Sequence, residues 1–139
     1  LHDAAASGQV EVIQLLCNKG LDLHARDGKG NMPLHSIMEG GSDLAPARAV
    51  SATRVLLEAG ANLDAQNWSD KTPLHLAVHA QSVDLVRFLL DQGANQYLLD
   101  DDGLTPLELS VKLIEQSATE ALEAIKSLLQ PKGAEEAKE

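Results

Sequence analysis

A chain of 139 residues is one domain by length, and an apolar share of 44% with only 2% aromatics leaves Leu, Ala, Val and Ile to build its core. The formal charge of −10 argues against nucleic acid and anionic membranes as partners, because affinity for a polyanion rests on Lys and Arg neutralising phosphates. The same charge would steer in a protein with a basic patch.

In chain order, Leu1-His2 falls inside a first short helix. Val12, Leu15 and Leu16 then recur at helical spacing and predict a second helix that buries one stripe, closed by Gly20. Cys17 lies on that stripe and reads as a small core residue, since neither Leu16 nor Asn18 supplies an activating base.

The pattern restarts at Pro33-Leu34-His35, again at Pro73-Leu74-His75 and again at Pro106-Leu107-Glu108. Leu1 to Leu34 is 33 residues and Leu74 to Leu107 is 33, but Leu34 to Leu74 is 40, so the second copy carries seven extra residues. Gly40-Gly41-Ser42-Asp43-Leu44-Ala45-Pro46 breaks the helical pattern and predicts a loop holding them. The loop, from Glu39 to Ala49, either makes contacts of its own or is neutral elaboration, which surface loops tolerate. Val55, Leu56 and Leu57 follow as the second copy's stripe, closed by Gly60.

The third copy is the most regular. Thr72 can cap a helix that Pro73 opens, running to Ala80; Gln81-Ser82 turn the chain, and Val83 to Gln92 form the second helix before Gly93. The fourth copy has six extra residues near Leu113 to Thr119, without Gly or Pro, which predicts helix extended on both sides of a bend. Ile125, Leu128 and Leu129 form its stripe, while Glu115, Gln116, Glu120, Glu123 and Lys126 give it the polar side of a terminal cap. Residues 131–139 are expected to be a charged flexible tail.

Leu1-His2-Asp3-Ala4-Ala5, the full Thr72-Pro73-Leu74-His75-Leu76-Ala77 and Gly60-Ala61-Asn62-Leu63-Asp64-Ala65 together resemble the ankyrin repeat family. Departures are Met32 for the motif threonine, Glu108 for the histidine, and Gln96-Tyr97 at the end of the third unit. The resemblance implies an all-α ankyrin-repeat solenoid over residues 1–130, with about four helix-turn-helix units at 1–27, 28–67, 68–101 and 102–130. It also implies a non-catalytic module that binds another protein on the concave face made by turn tips and first helices. Mapped onto this sequence, that face is Arg26, Lys29 and Asn31; Gln66, Trp68, Ser69 and Lys71; Leu99, Asp101, Asp102 and Leu104; and, from the first helices, His79 and Lys112.

Trp68, the only tryptophan, sits in a turn where a small polar residue would suffice. It is either an interface anchor or a ring packed onto the adjacent turn or against Tyr97. His75 and His79 share a helical face at i, i+4, as zinc-binding helices do, but no third ligand accompanies them and the family uses His75 to hold neighbouring turns. Asp100-Asp101-Asp102 resembles a cation-binding run, yet the family's turn already uses Asp-x-x-Gly there, completed by Gly103. No phosphate loop, nucleophile elbow or paired-carboxylate motif is present, so no cofactor, metal or catalytic residue is expected.

One cysteine cannot form an internal disulfide, and no apolar run approaches the roughly 18 residues of a membrane span. No signal-peptide pattern is visible. The expectation is a monomer in a cytoplasmic setting, with the nucleus, or a host cytosol for a bacterial effector, as variants. The alternative reading is a targeting or regulatory fragment of a larger multidomain enzyme or effector.

Overall fold

The computed structural model describes residues 2–39 and 45–130. Among them are eight helices and no strand: α1 His2–Ala6, α2 Val10–Asn18, α3 Pro33–Glu39, α4 Pro46–Glu58, α5 Pro73–His79, α6 Val83–Asp91, α7 Pro106–Gln116 and α8 Glu120–Leu129. They form four antiparallel pairs stacked in two layers. The first helices run in the order α1, α3, α5, α7 and the second helices in the order α2, α4, α6, α8.

Leu34, Ile37, Leu56, Leu74, Leu85, Leu89 and Ile125 are all fully buried in one core cluster that extends along the stack. No single pair of such short helices could bury enough apolar surface alone, so each repeat depends on its neighbours. The turns between α1 and α2 and between α5 and α6 pass through a left-handed residue, Gly8 and Gln81, whereas the turn from α7 to α8 does without one. Gly20, Gly60 and Gly93 close the second helices at φ of 80°, 107° and 91°.

The structure redistributes both insertions. In the second unit α4 begins at Pro46 and has 13 residues against nine in α6. Part of the expected loop is thus an extra helical turn, opened by a proline whose missing N–H is no loss at the first position. Residues 40–44, the rest of that loop, lie outside the described residues, as does the tail at 131–139. In the fourth unit the extension lengthens α7, which has 11 residues against seven in α5. The bend follows at Ser117, whose backbone is extended, and the Thr119 side chain then accepts from Leu122 N to start α8.

The first unit departs from expectation. Ile13 is buried, but Val12 is 39% exposed and Leu15 55% exposed, so the expected buried stripe of α2 is only partly covered. Among the described helices α4 is the one second helix packed against α2, which leaves those two side chains open. Cys17 is half-buried against the core, and burial raises its thiol pKa, in keeping with an inert packing role.

Candidate functional site

The turns that project from each pair are locked by one repeated hydrogen-bond scheme. Asp27 Oδ1 accepts from Lys29 N and Asn31 N, Asn67 Oδ1 from Ser69 N and Lys71 N, and Asp100 Oδ1 from Asp102 N and Leu104 N. Each turn is then tied to the next through a buried imidazole. His35 Nε2–H donates to Ala65 O at 2.9 Å and Lys71 O at 3.1 Å, and His75 Nε2–H donates to Leu104 O at 2.9 Å. His2 Nε2 makes the matching bond to Asn31 O at 2.8 Å.

The other ring nitrogen looks inward: His35 Nδ1 accepts from Met32 N and His75 Nδ1 from Thr72 N. Both rings are therefore neutral, and burial pushes their pKa values down against the raising effect of the carbonyls they serve. His75 has both nitrogens occupied and cannot join His79 on a metal. At Glu108 the carboxylate keeps the local role, accepting from Thr105 N and Thr105 Oγ1.

The acidic run has structural employment as well. Asp100 is buried with Oδ2 3.2 Å from Lys71 Nζ, and Asp101 lies 3.8 Å from the same ammonium. Burial alone would raise the Asp100 pKa, but the N–H of Leu104, the Lys71 ammonium and the N–H of Asp102 together hold it below the usual carboxylate range. All the directed bonds of this carboxylate are made to its own turn and to Lys71.

Between the turn tips and the first helices runs a groove of about 850 Å³. Lys29, Trp68, Ser69 and Lys71 line one side, Glu39 and His79 the other, and Leu76 contributes apolar floor. A second hollow of about 240 Å³ shares Lys71, Leu76 and His79 and continues past Asp102 to Leu109, Lys112 and Leu113. Seven of the expected contact residues, Lys29, Trp68, Ser69, Lys71, His79, Asp102 and Lys112, are brought together by these two hollows, with Lys112 at the far end.

Trp68 dominates the first hollow. It is 66% exposed, its backbone N–H donates to Lys29 O at 3.1 Å, and its ring lies against Gly30, whose backbone is left-handed at φ 75°. The Arg26 guanidinium carbon sits 4.8 Å from the ring centroid, within range of a cation–π contact. The ring packs on the adjacent turn and still presents most of its surface.

Other expected contact residues are differently employed. Asn31 is fully buried: its amide donates to Glu39 Oε1 and its side-chain oxygen accepts from Asn67 Nδ2, both at 2.8 Å. It is a turn-to-turn bridge, not a surface contact. Arg26 Nη1 donates to Gly30 O and Gln66 O, and Gln66 Nε2 donates to Asp70 O and Leu99 O, so these two side chains staple successive turns. Leu104 is half-buried against the core, which removes it from the open face, whereas Leu99 is 52% exposed at the end of the staple row. Asp101 and Asp102 are exposed.

Sequence reasoning missed Met38, Leu76 and Leu109 as groove lining. The available signal is the apolar character of these first-helix positions, which by itself does not separate a groove floor from the core. Leu76 and Leu109 are each 8% exposed, enough to surface at the groove floor.

The family model for ankyrin repeats in three copies matches residues 1–100 and 46–138. The chain belongs to the ankyrin repeat family. Among curated relatives, it is 34% identical over 84 residues to the human transient receptor potential cation channel subfamily A member 1, covering 59% of this chain and 7% of the channel. Human protein phosphatase 1 regulatory subunit 27 is 38% identical over 77 residues, 55% of this chain and 45% of that protein. An L-asparaginase of Dirofilaria immitis is 28% identical over 139 residues, 81% of this chain and 24% of that protein. The chain spans less than half the length of each of these relatives. Ankyrin repeats are in general protein–protein interaction modules, and the fold is typically non-catalytic. No helix among the described residues is long and apolar enough to cross a membrane.

Proposed function

We propose that this ankyrin domain is a non-catalytic adaptor that seats a segment of a partner protein in the groove between turn tips and first helices, with Trp68 as its anchor. The observation that carries this reading is the 66% exposed indole beside an apolar floor. Gly30 and Arg26 hold the ring before any partner arrives, so little side-chain entropy is lost on docking. Leu76 and Leu109 offer two apolar seats in succession, and His79 and Lys112 stand free of ion pairs among the described residues. A basic residue of the partner meets Asp101 and Asp102 at the acidic rim. The working unit is residues 1–130, acting as a monomer in the cytoplasm.

The experiment is affinity capture with the wild-type domain, followed by Kd measurement on the purified partner for wild type and Trp68→Ala. A loss of about 30-fold, equivalent to about 2 kcal/mol, is expected with little change in melting temperature. Unchanged affinity at unchanged melting would remove Trp68 from the contact.

A second reading has one observation in its favour, the match to a quarter of an L-asparaginase. On that reading the repeats are a regulatory or targeting part of a longer enzyme. Sequencing the complete reading frame decides it: a catalytic domain in the same chain supports it, and its absence removes it.

A further inference from the structure

The extra turn of α7 finishes one end of the groove. Counted from Leu74 and Leu107, His79 and Lys112 hold matching places in their units. Helix α5 ends at His79, whereas α7 runs on through Leu113 to Gln116. Leu113 and Gln116, both from the added turn, line the hollow of about 240 Å³ beside Leu109 and Lys112. The extension is pinned just past its bend, where Thr119 Oγ1 donates to Gln81 Oε1 of the α5–α6 turn at 2.8 Å.

The two walls of this hollow carry opposite charges that do not meet. Asp102 and Lys112 take, with signs reversed, the places that Lys29 and Glu39 hold in the second unit. There Lys29 Nζ lies 4.0 Å from Glu39 Oε2, so that pair spans the groove. Lys112 and Asp102 are both exposed and enter no ion pair among the described residues. The neighbouring Lys71 is engaged, by Asp100 at 3.2 Å and Asp101 at 3.8 Å. An ammonium on the helix wall therefore faces a carboxylate on the turn wall across the apolar floor of Leu76 and Leu109.

We propose that this hollow seats an acidic side chain of the partner, whose carboxylate meets Lys112 and the Gln116 amide, with an adjoining apolar side chain laid against Leu76, Leu109 and Leu113. The inference rests on the groove reading above and adds the chemistry that its far end selects. Charge complementarity names the occupant: a segment of mixed charge, with its acidic residue on the helix wall and its basic residue on Asp102. Successive side chains of an extended segment point to opposite sides, so one strand-like stretch satisfies both walls. Lys112 and Gln116 are four residues apart on one helical face, which lets both reach a single carboxylate.

The test selects binders of the complete 139-residue chain from a displayed library of random linear peptides, in parallel on wild type, Lys112→Glu and Trp68→Ala. Wild-type binders are expected to share an Asp or Glu close to a Leu, Ile, Val, Met or Phe. Selection on Lys112→Glu should put Lys or Arg in the acidic place. A wild-type binder should bind Lys112→Glu about fivefold or more weakly, because an exposed attraction becomes a repulsion, and exchanging its acidic residue for Lys should restore affinity. Lys112→Gln, which removes the charge alone, replaces the Glu variant if that one fails to fold. Binders without a shared acidic residue, or the same consensus from wild type and Lys112→Glu, would overturn the proposal. Binders lost on Trp68→Ala but indifferent to Lys112 overturn this seat and keep the groove reading. Dependence on Lys112 without dependence on Trp68 supports the seat and removes the anchor, and a library yielding no binder dependent on either overturns both. A concentration-dependent dimer that Lys112→Glu dissolves would also overturn the proposal, in favour of a second copy as occupant.

Discussion

Trp68 lies on Gly30 so closely that a Cβ at residue 30 would collide with Cγ, Cδ2 and Cε2 of the indole. Two adjacent turns are thus joined through a side chain on one and the bare backbone of the other. Glycine is required there twice over, by the ring above it and by φ of 75°.

Gly30→Ala should therefore lift the ring from its seat. We expect a loss of about 1–3 kcal/mol in chemical denaturation, from the positive φ and the displaced ring together. Because Trp68 is the only tryptophan, native-state fluorescence reports the displacement directly as a change in emission maximum. A variant with wild-type emission and stability would show that the ring is not held by this contact.

Asp70 occupies the turn position taken by Gly30 and Gly103 in the neighbouring units, yet it has φ of 58°. Aspartate tolerates the left-handed region better than most residues, but it still carries a cost that glycine lacks. Asp70→Gly should stabilise the domain by about 0.5 kcal/mol after the added freedom of the unfolded chain is subtracted. The readout is the urea midpoint.

Lys71 and Asp100 form a partly buried pair, with the carboxylate side chain wholly inaccessible. Asp100→Asn retains an oxygen for the N–H groups of Asp102 and Leu104 but loses the charge that Lys71 faces. A destabilisation of about 1–3 kcal/mol is expected, and Lys71→Met in the same background should recover part of it. Additive effects of the two substitutions would show that the pair contributes no coupling.

His35 and His75 set an acid limit on stability. Their folded pKa values are lowered, chiefly by burial, so the unfolded chain takes up protons before the folded chain does. Their contribution is complete above the ordinary histidine value of about 6.5 and is lost as pH falls through the lowered folded values. Asp27 and Asp100 are also lowered: burial opposes this, but backbone N–H bonds and nearby cations prevail. Their loss begins only below the ordinary aspartate range, near pH 4. Urea midpoints should be level from pH 8 to 7 and decline from pH 6.5 toward 5. His75→Gln should be less stable at pH 8 and show a shallower decline.

Several features were legible from residue order alone. The 33-residue spacing, the Thr72-Pro73 start, the closing glycines and the apolar periodicity determined four stacked helix pairs, because each is a local requirement of backbone geometry or of a buried stripe. The imidazole bonds followed from the family resemblance. Trp68 at a turn tip could be singled out by its size and position.

Burial and partnership were decided only in three dimensions. Asn31 and Lys71 hold matching places in successive turns, yet Asn31 is sealed between Glu39 and Asn67 while Lys71 reaches Asp100 at the groove edge. Likewise Val12 and Leu85 share a register, and only the presence or absence of a flanking helix separates 39% exposure from none. Sequence determined what each unit is, since that depends on neighbours along the chain. Tertiary structure decided which side chains each unit leaves open, since that depends on neighbours up to 40 residues away, as Arg26 and Gln66 show.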